Sequence, residues 1–327
     1  MKNILVVGGA GYIGSHTVKA LDKAGYTPIV FDNLSSGHKE AVTDSKLIVG
    51  ELADKEHLIK VIKEEKITAV MHFAGKIDAA ESVVKPHEYL EANCLDSVNL
   101  LLAMLECDIK NIIFSSTAAV YGDAEKLPIT EDAPKKPTNP YGLSKLMFEE
   151  VLQFYEQEAQ LKYISLRYFN AAGADTDGEL GDDHANKTHL ITVAILTALG
   201  KREELKLFGT DYSTSDGTCI RDYIHVDDLA DAHVLALDYL LEQNQSAIFN
   251  LGSQSGFSNK QVIEAVKEIS GTDFKVEETT RRPGDPATLV ASAEAASEVL
   301  GWQTKYSDLK TIIETAYSWQ KNHPNGY

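Results

Sequence analysis

The chain has 327 residues, 43% of them hydrophobic and 24% charged, an ordinary globular composition that at about 150 residues per domain has room for two lobes. Thirty-one Lys and Arg against 49 Asp and Glu give a formal charge of -18, a surface that repels phosphate backbones, so nucleic acid and anionic membranes are poor partners. The three cysteines, Cys94, Cys107 and Cys219, form no CxxC pair and lie near no histidine cluster, which argues against a disulfide framework or a metal site and for a reducing compartment.

MKNILVVGGAGYIG at the N-terminus carries only a short apolar run and no cleavage-site pattern, and no apolar stretch of about 18 residues follows anywhere. The expectation is a cytoplasmic protein. NILVV (3–7), PIVF (28–31), KLIV (46–49), AVMHF (69–73), NIIFSS (111–116) and YISLRYF (163–169) are nearly continuous apolar runs, the pattern of strands buried on both faces. Segments with helical spacing at 12–25, 55–65, 87–106 and 141–159 alternate with them. This predicts an α/β fold, a doubly wound parallel Rossmann sheet over residues 1–170. After RYFNAAGAD, the stretch DTDGELGDDHANKTH offers glycines and acids without period. It reads as a loop opening a smaller mixed α/β substrate lobe over residues 171–327, with some segments returning to the first lobe. HVDDLADAHVLALDYLLE and NKQVIEAVKEIS are helical, and a last helix is expected near 307–322.

The first strand runs directly into Gly8, Gly11 and Gly14 and then into helical sequence. Such a turn allows close backbone approach to a diphosphate and aims a helix N-terminus at it. A glycine triplet alone is weak, but the preceding strand, the following helix and Asp32 at the end of the next strand supply the context of a dinucleotide site. Asp32 would accept hydrogen bonds from ribose hydroxyls and repel a 2'-phosphate, which favours NAD over NADP.

Tyr141 and Lys145 stand four apart in NPYGLSK, on one face of a helix. An isolated YxxxK is usually an ordinary helix face. Here it follows a glycine turn and FSSTAAVYG, which puts Thr117 at the mouth of an earlier strand. An unperturbed phenol with a pKa near 10 is phenolate in about one molecule per thousand at neutral pH. A cation one turn away and the positive ring of oxidised NAD both favour the phenolate. Thr117 can share the substrate oxygen and help pass its proton, with capping of the strand end as the second reading.

The order of GGAGYIG, FSSTAAVYG and YGLSK resembles the extended branch of the short-chain dehydrogenase/reductase superfamily. Within it, FDNLSSG, HFAG, ANCLDSVNLL, LRYFNAAGA, FGTDYSTSDGTCIRDYIHVDDLADAH, FNLGS, RRPGDPA and LGW are similar to the UDP-hexose 4-epimerases, over nearly the whole chain. The resemblance implies an isomerase that interconverts UDP-galactose and UDP-glucose through a 4-keto sugar, using bound NAD, with Tyr141, Lys145 and Thr117 as catalytic residues. It implies a cofactor site built from Gly8, Gly11, Tyr12, Ile13, Gly14, Asp32, Asn33, Ser36, Glu51, Leu52, Phe73, Ala74, Gly75, Asn93, Ser115, Tyr141, Lys145 and Tyr168. Substrate would be held by Thr117, Asn170, His189, Leu190, Phe208, Arg221, Tyr223, Arg282, Asp285 and Leu289. Related 4,6-dehydratases place an Asp-Glu pair where this chain has Ala118 and Ala119, and two alanines supply no acid or base for loss of water.

Some positions depart from the family pattern. The usual cofactor-contacting lysine is displaced, with Ile77 in its place and Lys76 before it; Glu51 stands for an Asp beside the adenine, and His189 for an Asn near the diphosphate. Leu289 is intermediate at a position linked to acceptance of N-acetylated sugars. A homodimer joined through the 87–106 and 141–159 helices is also implied, with VNLLLAML serving either the interface or the core. UDP-N-acetylhexosamine or UDP-pentose epimerisation, decarboxylation of a sugar nucleotide, and NAD sensing without turnover are the alternatives.

Overall fold

The computed structural model describes residues 1–185, 187–282 and 285–327. Asn186, within the expected lobe-opening loop, and Pro283 and Gly284, within RRPGDPA, lie outside the described residues.

The chain alternates β1 (Asn3–Val7), α1 (Tyr12–Lys23), β2 (Thr27–Asp32), β3 (Lys46–Val49), α2 (Lys55–Glu64) and β4 (Ile67–His72). It continues through α3 (Ala79–Val84), α4 (Pro86–Leu90), α5 (Asp96–Glu106), β5 (Asn111–Ser115), α6 (Pro140–Ala159) and β6 (Lys162–Tyr168). Then come β7 (Asn170–Ala172), α7 (Leu190–Ala198), β8 (Leu205–Phe208), β9 (Ile220–Arg221), β10 (Tyr223–His225), α8 (Val226–Gln243) and β11 (Ala247–Leu251). The last elements are β12 (Phe257–Ser258), α9 (Asn259–Ser270), β13 (Val276–Thr279), β14 (Thr288–Leu289), α10 (Glu294–Leu300) and α11 (Leu309–Asn322).

Seven strands pair in parallel in the order β11-β6-β5-β4-β1-β2-β3. The winding direction reverses between β1 and β4, so a crevice opens at the carboxyl ends of those strands. Side chains alternate across the sheet as a two-residue period requires. Ile4 and Val6 join Met71, Ile113 and Ile164 in the core under α1 and α8. Leu5 and Val7 join Phe31, Val70 and Phe114 in the opposite core under α2, α5 and α6. A third cluster, with Ile195, Leu207, Val262 and Ile312, holds α7, β8, α9 and α11 of the second half. Small pairings complete that side: β10 with β7, β13 with β8, and β9 between β12 and β14.

Three details differ from the sequence expectation. KLIV is not buried on both faces: β3 is the sheet's last strand and Val49 is 56% exposed, because an edge strand has a neighbour on one side only. The helix expected over 87–106 is broken into α4 and α5 by a π-turn at Glu91–Leu95. The stretch VNLLLAML is core, with Leu100, Leu101, Ala103 and Met104 fully buried. Two segments from beyond β10 complete the large sheet: β11 pairs with β6 and α8 packs on α1. Among the described residues, no helix is long and apolar enough to cross a membrane.

Phe148 of α6 is fully buried and meets Phe114 of β5 edge-on at 4.9 Å between ring centroids. Phe148→Ala leaves a cavity beneath that helix and should cost about 3–5 kcal/mol. The expected result is a lower urea midpoint with an unchanged slope.

Candidate active site

The glycine turn is shaped by contacts that exclude a side chain. Gly8 has φ +79, and a Cβ there would lie 2.5 Å from the Ala74 backbone nitrogen; one on Gly14 would lie 2.2 Å from the Gly8 carbonyl oxygen. Gly11 is the N-cap of α1 and provides no side-chain cap, so the backbone N–H groups of the first turn, Tyr12 and Ile13 included, meet no capping side chain there. Asp32, 8% exposed, braces the turn by accepting from the Ala10 and Leu34 N–H groups at 3.0 and 2.8 Å. Each carboxylate oxygen retains a lone pair for a further donor. At the rim, Asn33 donates to Glu51 at 2.9 Å, Ser36 is exposed, and Leu52 packs beneath. Phe73 and Ala74 both donate to the Val7 carbonyl, at 2.8 and 3.1 Å. The close backbone, the uncapped helix start and the braced carboxylate fit a dinucleotide.

Asn93 sits in the π-turn and is fully engaged with protein. Its Oδ1 accepts from Lys76 N at 2.7 Å, and its Nδ2 donates to the Lys76 carbonyl and to Ser144 Oγ, both at 3.0 Å. It therefore fixes the Gly75 loop against α6. Lys76 is turned away to pair with Glu88 and lies over the Tyr89 ring, while Ile77 is 44% exposed.

Pro140 occupies the first turn of α6 and Asn139 caps it, accepting from Gly142 N at 2.9 Å. A Cβ on Gly142 would lie 2.6 Å from the Ala119 carbonyl oxygen, so the missing side chain lets the helix come down onto the segment after β5. That approach brings the Tyr141 phenol near enough to Thr117 for the Thr117 hydroxyl to act on its pKa. Thr117 Oγ1 also accepts from Ala119 N at 3.1 Å. Lys145, 3% exposed, donates to the Ser115 carbonyl at 3.1 Å and lies 5.0 Å from the centre of the Phe114 ring.

The electrostatics differ from the simple expectation of an acidified phenol. Burial raises the Tyr141 pKa, and the group that counters it is Thr117. Burial lowers Lys145 to about 8, with Glu149 acting against the shift. Desolvation penalises both charged forms, and the ammonium is directed at a carbonyl rather than at the phenol. Beside this pair, Ser115 Oγ is hydrogen-bonded to the Tyr168 hydroxyl, and Tyr168 and Phe73 both pack on the His233 ring.

A cavity of about 490 Å³ gathers eight of the ten expected substrate residues: Asn170, His189, Leu190, Phe208, Arg221, Tyr223, Arg282 and Asp285. The Arg282 guanidinium lies 4.1 Å from the centre of the Phe208 ring, and Arg221 forms an ion pair with Asp285. Asn170 donates to the Asp222 carbonyl at 2.8 Å. His189 is the N-cap residue of α7, makes no side-chain cap bond, and has its pKa lowered by burial. Tyr12 reaches across to donate to the Gly173 carbonyl at 2.8 Å and joins the cavity lining. Thr117 and Leu289 are not in that lining; Leu289 packs with Ala118 around Val120, Tyr121 and Ile129.

Several residues here were not singled out from sequence. Asp182, in the lining, hydrogen-bonds His184 at 2.6 Å and Thr192 at 2.9 Å. Burial acts to raise its pKa, but His184 holds it well below the usual carboxylate range. Asp182 and His184 belong to the aperiodic loop, which carries no pattern to read. Glu149 of α6 and Arg167 of β6 form a buried ion pair. They did leave a trace: Glu149 is one turn beyond Lys145, and Arg167 is the charge inside an otherwise apolar strand run.

The NAD dependent epimerase/dehydratase family matches residues 4–252. The UDP-glucose 4-epimerase of Halalkalibacterium halodurans is 49% identical over 324 residues, 99% of this chain and 97% of that protein. The crystal structure of the Brucella ovis UDP-glucose 4-epimerase in complex with NAD is 45% identical with a TM-score of 0.95, covering 97% of this chain and 98% of that one. That of the Bifidobacterium longum enzyme in complex with NAD+ and UDP is 36% identical with a TM-score of 0.94, covering all of both chains (100% and 100%). With the glycine turn, the Tyr141–Thr117 pair and Lys145 in place on this sheet, the chain belongs to the NAD-dependent epimerase/dehydratase family.

Proposed function

We propose that the protein interconverts UDP-glucose and UDP-galactose by inverting the hexose at C4 through a 4-keto sugar, with NAD retained between turnovers. The observation that carries this reading is the Tyr141–Thr117 hydroxyl pair over a buried Lys145, followed by alanines at 118 and 119. These groups can move one proton to and from a sugar hydroxyl. Ala118 and Ala119 offer neither the acid nor the base that elimination requires.

The Gly8–Gly14 turn would hold the cofactor diphosphate and Asp32, with Asn33, Ser36 and Glu51 near it, the adenosine side. Phe73, Ala74, Gly75, Ser115 and Tyr168 would line the other end, with Asn93 setting the shape of the Gly75 loop. When bound, NAD supplies the acceptor and donor of the C4 hydrogen. Tyr141 takes the 4-hydroxyl proton as C4 is oxidised and returns it after the sugar has turned its other face. Thr117 orders that proton, and Lys145 contributes positive charge. Net redox is zero, which is why the cofactor need not leave.

Arg221 and Arg282, which line the cavity together with Arg202, are suited to a diphosphate in a chain of net charge -18, since a guanidinium stays charged and matches phosphate oxygens in pairs. Asn170, His189, Leu190, Phe208, Tyr223 and Asp285 complete the nucleotide grip, and Leu289 bounds the sugar end near Ala118. A firmly held nucleotide with a loosely held hexose lets the keto sugar rotate without escape.

A homodimer is also part of this reading. Leu95 is 61%, Leu143 42%, Met147 40% and Phe154 58% exposed, on the π-turn and on α6, and a stripe of large apolar side chains on adjacent elements suits a symmetric helical interface. Cytoplasmic location is supported by three free, well-separated cysteines.

Purified protein incubated with UDP-galactose and no added NAD is expected to produce UDP-glucose with no net NADH absorbance; absence of conversion with added NAD would sink the reading. Tyr141→Phe should lower kcat by about 10²–10⁴-fold while UDP binding, followed by calorimetry, stays close to wild type. Because Lys145 is cationic below its value of about 8 and loses that charge as pH rises, kcat should fall on the alkaline side of that pH. Met147→Glu should halve the mass seen by sedimentation equilibrium.

A further inference from the structure

We infer that Glu149 is a positioning residue for proton transfer, its carboxylate pinning the helix that carries Tyr141 and Lys145 to the strand end that carries Thr117. The inference rests on the function proposed above. Tyr141, Lys145 and Glu149 fall at i, i+4 and i+8 of α6, along one face of the helix. Glu149 Oε1 accepts from Ser116 Oγ at 2.5 Å and from Arg167 Nε at 3.0 Å, and Oε2 accepts from Arg167 Nη2 at 2.5 Å. Ser116 directly precedes Thr117 and is itself tied to β6 through its N–H on the Leu166 carbonyl at 2.9 Å. Arg167 extends the chain of bonds: its Nη1 donates to Tyr121 Oη at 2.8 Å, and Tyr121 donates to Asn250 of β11 at 2.7 Å.

Every member of this chain is buried, from Asn250 at 0% to Glu149 at 3% exposure. A buried ion pair gains little stability over apolar residues of similar volume, because desolvation offsets the attraction. The surrounding core, with Phe114, Phe148 and Leu152, would accept such residues. What the ionic version adds is direction. A bidentate guanidinium fixes both oxygens of the carboxylate, so the Ser116 hydroxyl, and the Thr117 backbone after it, can take one position relative to α6.

The pin also carries charge. Lys145 faces Tyr141 and Glu149 on its own helix and His72 on β4, where burial holds His72 neutral at about 3. Glu149 in turn faces Arg167 and Tyr163 of β6, with Tyr121 beyond the arginine. Its carboxylate is thus a counter-charge that works against the effect of burial on the Lys145 ammonium.

Two variants separate positioning from simple stability. Ser116→Ala removes the pin and leaves the ion pair; kcat should fall about tenfold, the equivalent of one hydrogen bond, with KM for UDP-galactose nearly unchanged. Glu149→Leu with Arg167→Met removes both charges in an apolar replacement expected to fold. It should lower kcat by about a hundredfold and move the alkaline limb of the kcat profile to lower pH by about one unit. Wild-type kcat and an unmoved limb in both, with only a lowered unfolding midpoint, would overturn the inference; if the double variant does not fold, Ser116→Ala decides alone. Should the wild type turn over no UDP-galactose, the earlier reading fails, and the Tyr141 titration decides this one. Tyrosinate absorbance, taken as the difference between each protein and its Tyr141→Phe counterpart, should shift to higher pH in the variants, and an identical titration would count against the pin.

Discussion

The site depends on how closely α6 approaches the end of β5. A Cβ on Gly142 would meet the Ala119 carbonyl oxygen at 2.6 Å, so a glycine at this point sets the gap between helix and strand. The Tyr141 and Thr117 hydroxyls face each other across that gap, and Thr117 counters the effect of burial on the phenol. Beneath it, Phe148 against Phe114 supplies the apolar part of the contact, and the Glu149–Arg167 pair supplies the directional part. Dispersion and burial bring the two elements together without regard to angle. Charged hydrogen bonds select the angle.

Burial has a second effect on the same residues. It raises the phenol and lowers the ammonium, so each is pushed toward its neutral form. A site left to desolvation alone would hold an uncharged tyrosine next to an easily deprotonated lysine. Thr117 works against the first tendency and Glu149 against the second. The chemistry proposed here therefore relies on two neighbours that do not themselves accept the proton.

The large sheet was legible because strands buried on both faces leave continuous apolar runs, and helices between them leave a 3.6-residue period. KLIV shows the limit: composition alone does not reveal that a strand is last in its sheet. The π-turn at Glu91–Leu95 was likewise invisible, and the bonds of its Asn93 to Lys76 and Ser144 join residues far apart in sequence. At the site, the glycine turn, Asp32 and the Tyr141–Lys145 spacing could be read because local geometry requires those residue types. The cavity residues of the second half, Phe208, Arg221 and Arg282 among them, come from short strands and loops without periodicity. Only resemblance pointed to them. The orientation of Lys145 toward Ser115 rather than the phenol required coordinates.

The route of the backbone has a consequence for modularity. Because α8 and β11 leave the cavity side to finish the large sheet, the half that carries the glycine turn is not a contiguous cassette. A fragment ending after β6 would present that strand's bare edge and an uncovered apolar surface on α1, both invitations to aggregate. Recombination between relatives would have to exchange interleaved pieces in concert, which ties the inheritance of the glycine turn and the cavity together.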